Sequence, residues 1–268
     1  MDCVAEKTVW HGVSNIEQET LLYHVKLTFI MSHILTGGNT TYGFRLGVLM
    51  LNTRFPRIVG DVGNALTYRF PVVFKIVKTA NLKNVAIKTD YTLLDDFISA
   101  AKELESSGVK AITTSCGFLM PFQEDISRNL GIPFFSSSLM LIPLIQKFVS
   151  GKIGIVTANS RNLTSKHLKA AGLNESYPVV VKGLEDTEEF SRVILDDSPD
   201  GDFDKINEEV RTAVDELLKN EPDVKAILFE CHNLPPYADT IRSEFGIPVF
   251  DYLSLVNMVT SQMSDTVM

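Results

Sequence analysis

The chain has 268 residues, 45% hydrophobic and 22% charged, which suits one large or two small globular domains with proper cores. A formal net charge of −8 without any Lys/Arg run argues against a nucleic-acid-binding surface. Three widely spaced cysteines with no CxxC, and five histidines in no ligand spacing, exclude a disulfide framework and a metal site and leave reduced cytoplasmic thiols as the expectation.

Residues 1–43 read as an appended segment of unassigned role. Ser14-Asn15-Ile16-Glu17 has the form of a capping box. The apolar run Leu21–Leu35 behind it is interrupted by Lys26, Ser32 and His33 and is too short to span a membrane. The first ten residues lack the basic-then-apolar order of a secretory signal. Gly37-Gly38-Asn39 closes the segment, and Cys3 lies within it.

From Phe44 onward, short apolar strands alternate with helical patterns. Strands are expected at Arg45–Leu51, Asn84–Thr89, Val109–Thr114 and Ile132–Ser136, with helices near Pro71–Ala80, Thr92–Ser106 and Pro121–Leu130. The second half gives strands at Lys152–Thr157, Tyr177–Lys182, Val224–Phe229 and Ile247–Asp251. Its helices fall near Arg161–Ala171, Asp186–Leu195, Asp204–Asn220 and Pro235–Phe245. Pro121 and Pro235 stand where a helix opens, and Gly131 and Gly246 where it closes. The expected fold is α/β, with two pseudo-symmetric flavodoxin-like domains, each a parallel four-stranded sheet, and the site in the cleft between them. Residues 44–143, joined by a C-terminal helix over 252–268, form the first half, and 144–251 the second.

The halves repeat one another. Val109–Ser136 aligns without a gap on Val224–Asp251, matching Cys116 with Cys231, Pro121 with Pro236 and Gly131-Ile132-Pro133 with Gly246-Ile247-Pro248. Arg45–Arg54 likewise matches Lys152–Arg161, pairing Gly47 with Gly154, Asn52 with Asn159, Thr53 with Ser160 and Arg54 with Arg161. All four segments end at the carboxyl edge of a strand, where open α/β sheets bind ligands.

Two thiols at opposing strand ends suit proton transfer at one carbon, one as base and the other as acid. The turn amides of Gly117 and His232 are placed to favour a thiolate, with the His232 side chain as a further partner. Asn52, Thr53, Asn159 and Ser160 are suited to stabilise a carbanion. Asn-Thr/Ser-Arg also fits plain turn chemistry, Arg54 and Arg161 fit surface charges, and His232 fits a solvated turn. Ser115 and Glu230 precede the cysteines and, by strand alternation, should point away from them. The loop Gly60-Asp61-Val62-Gly63-Asn64 lacks GxGxxG and P-loop spacing and reads as substrate-side.

On these residues, Cys116 in TTSCGF and Cys231 in FECHN within duplicated halves, the chain resembles the aspartate/glutamate racemase superfamily over about residues 44–260. That superfamily includes cofactor-independent amino-acid racemases, hydantoin racemases, maleate isomerases and arylmalonate decarboxylases. The resemblance implies a small carboxylate or amino-acid-like substrate, no cofactor and no pyridoxal phosphate, with room for a homodimer and no nucleic-acid or membrane partner. It implies Cys116 and Cys231 as the two bases, and Asn52, Thr53, Asn159 and Ser160 as carboxylate ligands, with Gly117, Phe118 and His232 beside them. Gly117-Phe118 replaces the Asn-Thr that usually follows the first cysteine in the amino-acid racemases, and His232-Asn233 replaces the usual Thr-His after the second. Cys-Gly-Phe is similar to the hydantoin racemases. The leading expectation is an isomerase, an amino-acid racemase of the aspartate/glutamate type. The alternatives are a hydantoin racemase, a cysteine-dependent isomerase or decarboxylase of the same superfamily, and a non-catalytic small-acid-binding protein.

Overall fold

The computed structural model describes residues 38 and 40–263 apart from positions 89 and 175. The readings made for residues 1–37, Cys3 and the capping box among them, lie outside the described residues, as does the end of the expected helix over 252–268. Residues 39–264 form one compact unit.

The chain enters a strand at β1 (Leu46–Leu51), the centre of the first sheet, and every residue of it is buried. It returns to the edge strand β2 (Val72–Val77), passes helix α1 (Leu94–Ser106), and adds β3 (Ala111–Thr114), α2 (Gln123–Ser127) and β4 (Phe134–Phe135). Helix α3 (Ile142–Phe148) leads to the second sheet. That sheet comprises β5 (Lys152–Thr157), α4 (Ser165–Ala170), β6 (Val179–Gly183), α5 (Phe203–Asn220), β7 (Val224–Phe229), α6 (Ala238–Phe245) and β8 (Val249–Phe250), followed by α7 (Tyr252–Thr260). The strand orders are β2-β1-β3-β4 and β6-β5-β7-β8, all pairs parallel, which is the flavodoxin-like order twice over.

The repeated glycines explain how the helices reach the sheets. A Cβ on Gly47 would lie 3.0 Å from Leu104 Cδ1 of α1, and one on Gly154 2.8 Å from Leu217 Cδ2 of α5. Each central strand therefore carries a gap into which a leucine of the covering helix seats. Helix α1 buries Phe97, Ala100, Ala101 and Leu104, and α5 buries Ile206, Val210, Ala213, Val214 and Leu217, at the three-and-four spacing of a helix face. The Asp202 side chain opens α5 by accepting the amides of Asp204 and Lys205.

Two expectations are corrected here. Residues 72–77 are a strand rather than a helix, because the β-branched run Val72-Val73 and Ile76-Val77 pairs with β1 along its whole length. Residues 84–89, expected as a strand, instead fall largely in a π-helical turn, Lys83–Ile87, whose buried Val85 and Ala86 cover the core. Gly246 closes α6 in the left-handed conformation at φ 61°, as expected, whereas α2 ends earlier at Arg128 and the Gly131 amide donates to Glu105 Oε1 instead. No described helix is long and apolar enough to cross a membrane.

Replacing Gly154 with valine forces branched carbon into the seat of Leu217 and Ile227. The expected loss is about 1–3 kcal/mol of unfolding free energy, read from the urea midpoint at constant slope. An unchanged midpoint would mean that α5 does not bear on β5 at this point.

Candidate active site

Each sheet reverses its strand order between its first and third strands, and a crevice opens there beyond their carboxyl ends. Cys116 follows β3 by two residues and Cys231 follows β7 by two. Both thiols are free, both are buried, and both line one cavity of about 20 Å³. Around them stand Thr53, Arg57, Ser115, Gly117, Phe118, Glu230, His232 and Asn233, with apolar walls from Leu82, Ala86, Ile194 and Leu195. That volume admits a water molecule or little more.

Burial pushes the Cys116 thiol up to about 12, with the Glu230 carboxyl adding to the rise; the Phe118 amide and the Arg57 guanidinium pull the other way. Cys231 is raised well above the ordinary thiol range by the same burial and the same carboxyl. Its thiol donates to Asn233 Oδ1 at 3.5 Å. Asn233 Nδ2 donates to Asp61 Oδ2 at 2.6 Å, and Arg57 Nη1 donates to Asp61 Oδ1 at 2.6 Å. Arg57 also donates to Thr53 Oγ1 at 3.0 Å and lies over the Phe55 ring, 4.3 Å from its centroid. The glycine-rich loop thus works through Asp61, which ties Arg57 of the first half to the Cys231 turn of the second.

Glu230 was expected to point away from the cysteine, but it lines the cavity with it. Strand β7 ends at Phe229, so alternation no longer applies at residue 230. Its Oε2 accepts from Thr157 Oγ1 at 2.7 Å, while Oε1 is buried without a hydrogen-bond partner. A Cβ on Gly117 would run into both Oε1 and the backbone carbonyl oxygen of Glu230, which accounts for glycine after the first cysteine. Ser115 also lines the cavity, and its hydroxyl accepts from the Leu51 amide at 2.9 Å.

His232 lies at the cavity, but its ring is occupied. Nδ1–H donates to the Thr114 carbonyl at 3.0 Å, and Nε2 accepts from the Ser138 amide at 3.3 Å. Burial holds it down at about 4, a neutral imidazole bolting the Cys231 turn to the first half. Of the four polar strand-end residues, Thr53 lines the cavity, whereas Asn52, Asn159 and Ser160 do not. Asn52 is exposed and Asn159 accepts the Arg161 amide, as a turn residue does. Ser160 is taken by Glu185, which accepts both its amide and its hydroxyl. Arg161 reaches outward to Asp186. Arg57 and Glu230 were not anticipated as site residues.

A family model described as Asp/Glu/hydantoin racemase matches residues 79–256. The chain belongs to that family. Among solved structures, a glycine-to-cysteine mutant of arylmalonate decarboxylase is similar at TM-score 0.58 and 13% identity, over 81% of this chain and 92% of that one. A glutamate racemase from Bacillus anthracis is similar at TM-score 0.52 and 16% identity, over 84% and 85%. These two likenesses concern the fold alone.

Curated relatives point elsewhere in chemistry. A dimethylsulfoniopropionate lyase from Durusdinium sp. clade D is 31% identical over 214 residues, 77% of this chain and 70% of that protein. Dimethylsulfoniopropionate lyase 7 from Emiliania huxleyi is 31% identical over 230 residues, 82% and 67%. The chain spans 60% of the length of dimethylsulfoniopropionate lyase 3 from the same organism, at the same identity. The expectation of an aspartate/glutamate-type racemase, and of an isomerase, is overturned by these relatives, which are lyases.

Burial raises the Glu230 carboxyl from 4.5 to about 7, so the folded chain holds a proton that the unfolded chain has lost between those values. Stability therefore falls as pH rises from about 4.5 to about 7. Glu230→Gln removes that loss. Above pH 7 the variant should melt above the wild type, and the gap should close toward pH 4.5. His232 titrates in both proteins and cancels in the comparison. A gap independent of pH would show that this carboxyl is not desolvated.

Proposed function

We propose that this protein is a lyase that eliminates dimethyl sulfide from dimethylsulfoniopropionate or a close sulfonio-carboxylate. The observation that carries the proposal is 31% identity over about four-fifths of the chain to lyases of that name. The chemistry agrees with a site built around thiols. The carbon beside the substrate carboxylate must lose a proton, the first step a racemase also performs, and the two reactions diverge in what the resulting electron pair does.

In the elimination, a cysteine thiolate takes the proton from that carbon. The C–H electron pair becomes a carbon–carbon double bond, the carbon–sulfur bond breaks toward sulfur, and neutral dimethyl sulfide leaves with acrylate remaining. The leaving group needs no proton, so one base suffices and no second acid has to protonate a carbanion. Cys116 and Cys231 are the groups available as bases, and Arg57 with Thr53 is suited to hold the carboxylate. Charge that develops on the carboxylate side of the carbanion is met by the guanidinium in a water-poor cavity.

The full chain incubated with dimethylsulfoniopropionate should release dimethyl sulfide, measured by gas chromatography, and an equal amount of acrylate, measured by proton NMR. Cys116→Ser and Cys231→Ser test the base, and the variant lacking it should lose at least about 100-fold in kcat/KM. Because burial raises both thiols, wild-type kcat/KM should climb as pH rises through neutrality into the alkaline range. No dimethyl sulfide from the wild type, or full activity in both serine variants, would overturn the proposal.

A further inference from the structure

Proton abstraction by a thiol does not require Glu230, yet the fold goes to some length to keep it. The residue matched to it in the first half is Ser115, whose hydroxyl is neutral and accepts the Leu51 amide. The repeat thus shows a satisfied, uncharged way to fill this corner. The second half instead places a fully buried carboxyl there, with Oε2 held by Thr157 and Oε1 unpartnered. Gly117 leaves the space that Oε1 occupies. A buried carboxylate oxygen without a donor costs several kcal/mol, so the ionised form is unfavourable until a proton or another positive group reaches it.

Arg57 and Glu230 are the charge-bearing side chains among the cavity-lining residues, His232 being neutral with both ring nitrogens taken. Arg57 is already answered by Asp61 at 2.6 Å. Glu230 Oε1 has no answer in the described chain. Apolar side chains of Leu82, Ala86, Ile194, Leu195 and Phe118 complete the walls. A cavity lined by one guanidinium, one carboxyl with an unpartnered oxygen and apolar side chains is complementary to a methylated onium zwitterion.

We propose that Glu230 Oε1 is the counter-charge for the onium head of the substrate and sets specificity for a cation two carbons from a carboxylate. The assignment rests on the lyase reading, which supplies the sulfonium. An onium centre has no N–H or O–H to donate, so it interacts by charge and through its polarised methyl groups. An oxygen left without a donor suits such a partner, because a hydrogen bond from the protein would spend the same lone pairs.

The test uses two non-reacting carboxylates of matched shape, the zwitterion 3-(trimethylammonio)propionate and 4,4-dimethylpentanoate, whose head carries no charge, titrated calorimetrically into the full chain. The wild type should bind the onium acid at least about tenfold more tightly. Glu230→Gln, which keeps the size and an acceptor for Thr157, should bring the two affinities within about threefold. Glu230→Asp should retain part of the preference. A wild-type ratio near one, or a ratio unchanged by Glu230→Gln, overturns the assignment; the latter with a collapsed kcat would instead mark Glu230 as a base. Neither titration needs turnover, so absence of dimethyl sulfide release would remove the lyase reading while this test still reads the role of Glu230.

Discussion

A carboxyl buried with one oxygen unsatisfied constrains everything around it. It lies against the residue after the first cysteine, where a Cβ would collide with Oε1 and with the backbone carbonyl oxygen of Glu230. It needs Thr157 at the end of β5 to hold its other oxygen. Its proximity raises both thiols and so favours their protonated forms in the empty site. A cation against Oε1 reverses that influence, because a compensated carboxylate no longer opposes a neighbouring thiolate. Substrate charge and base strength are thereby coupled through a single side chain.

The cysteines are held in register by a second constraint, the buried polar links between the halves. His232 ties its own turn to Thr114 and Ser138, and the Ser138 hydroxyl donates to the Phe229 carbonyl at 2.7 Å. Asp61 joins Arg57 to Asn233, and Asn233 receives the Cys231 thiol. Satisfied buried networks of this kind fix geometry more than they add net stability. Here they fix where a substrate carboxylate would sit relative to a sulfur.

The sheets were legible because their strands are short apolar runs repeated in register, and the repeat carried both cysteines to equivalent edges. What misled was local. The run Asn84–Ile87, read as part of a strand, lies in a π-helical turn, while Val72–Val77 takes the edge place beside β1. Asn52, Asn159 and Ser160 repeat faithfully and still serve turns, because a repeated position preserves backbone geometry whether or not a ligand is near. Glu230 was missed for the opposite reason. Strand alternation was extended one residue past the end of β7, where the backbone has already turned.

The same repeat bears on how the site fills. Two π-helical turns, Lys83–Ile87 and Ser191–Leu195, occupy corresponding places in the halves, and each sends apolar side chains to the cavity wall, Ala86 from one and Ile194 and Leu195 from the other. Such turns are rare and recur at functional sites. Just beyond the second, Asp197 adopts a left-handed conformation at φ 59° and accepts the amides of Arg54 and Phe55 from the first half, at 2.6 and 3.1 Å. A non-glycine residue held there stores on the order of 1 kcal/mol of strain. A cavity of about 20 Å³ is smaller than dimethylsulfoniopropionate, so the proposed reaction requires the walls to part for the substrate to enter. Once the walls close again over a zwitterion, water is excluded from both its charges. In such a dry enclosure the proposed contacts of Arg57 and Glu230 with the two ends of the zwitterion would be screened less than in water.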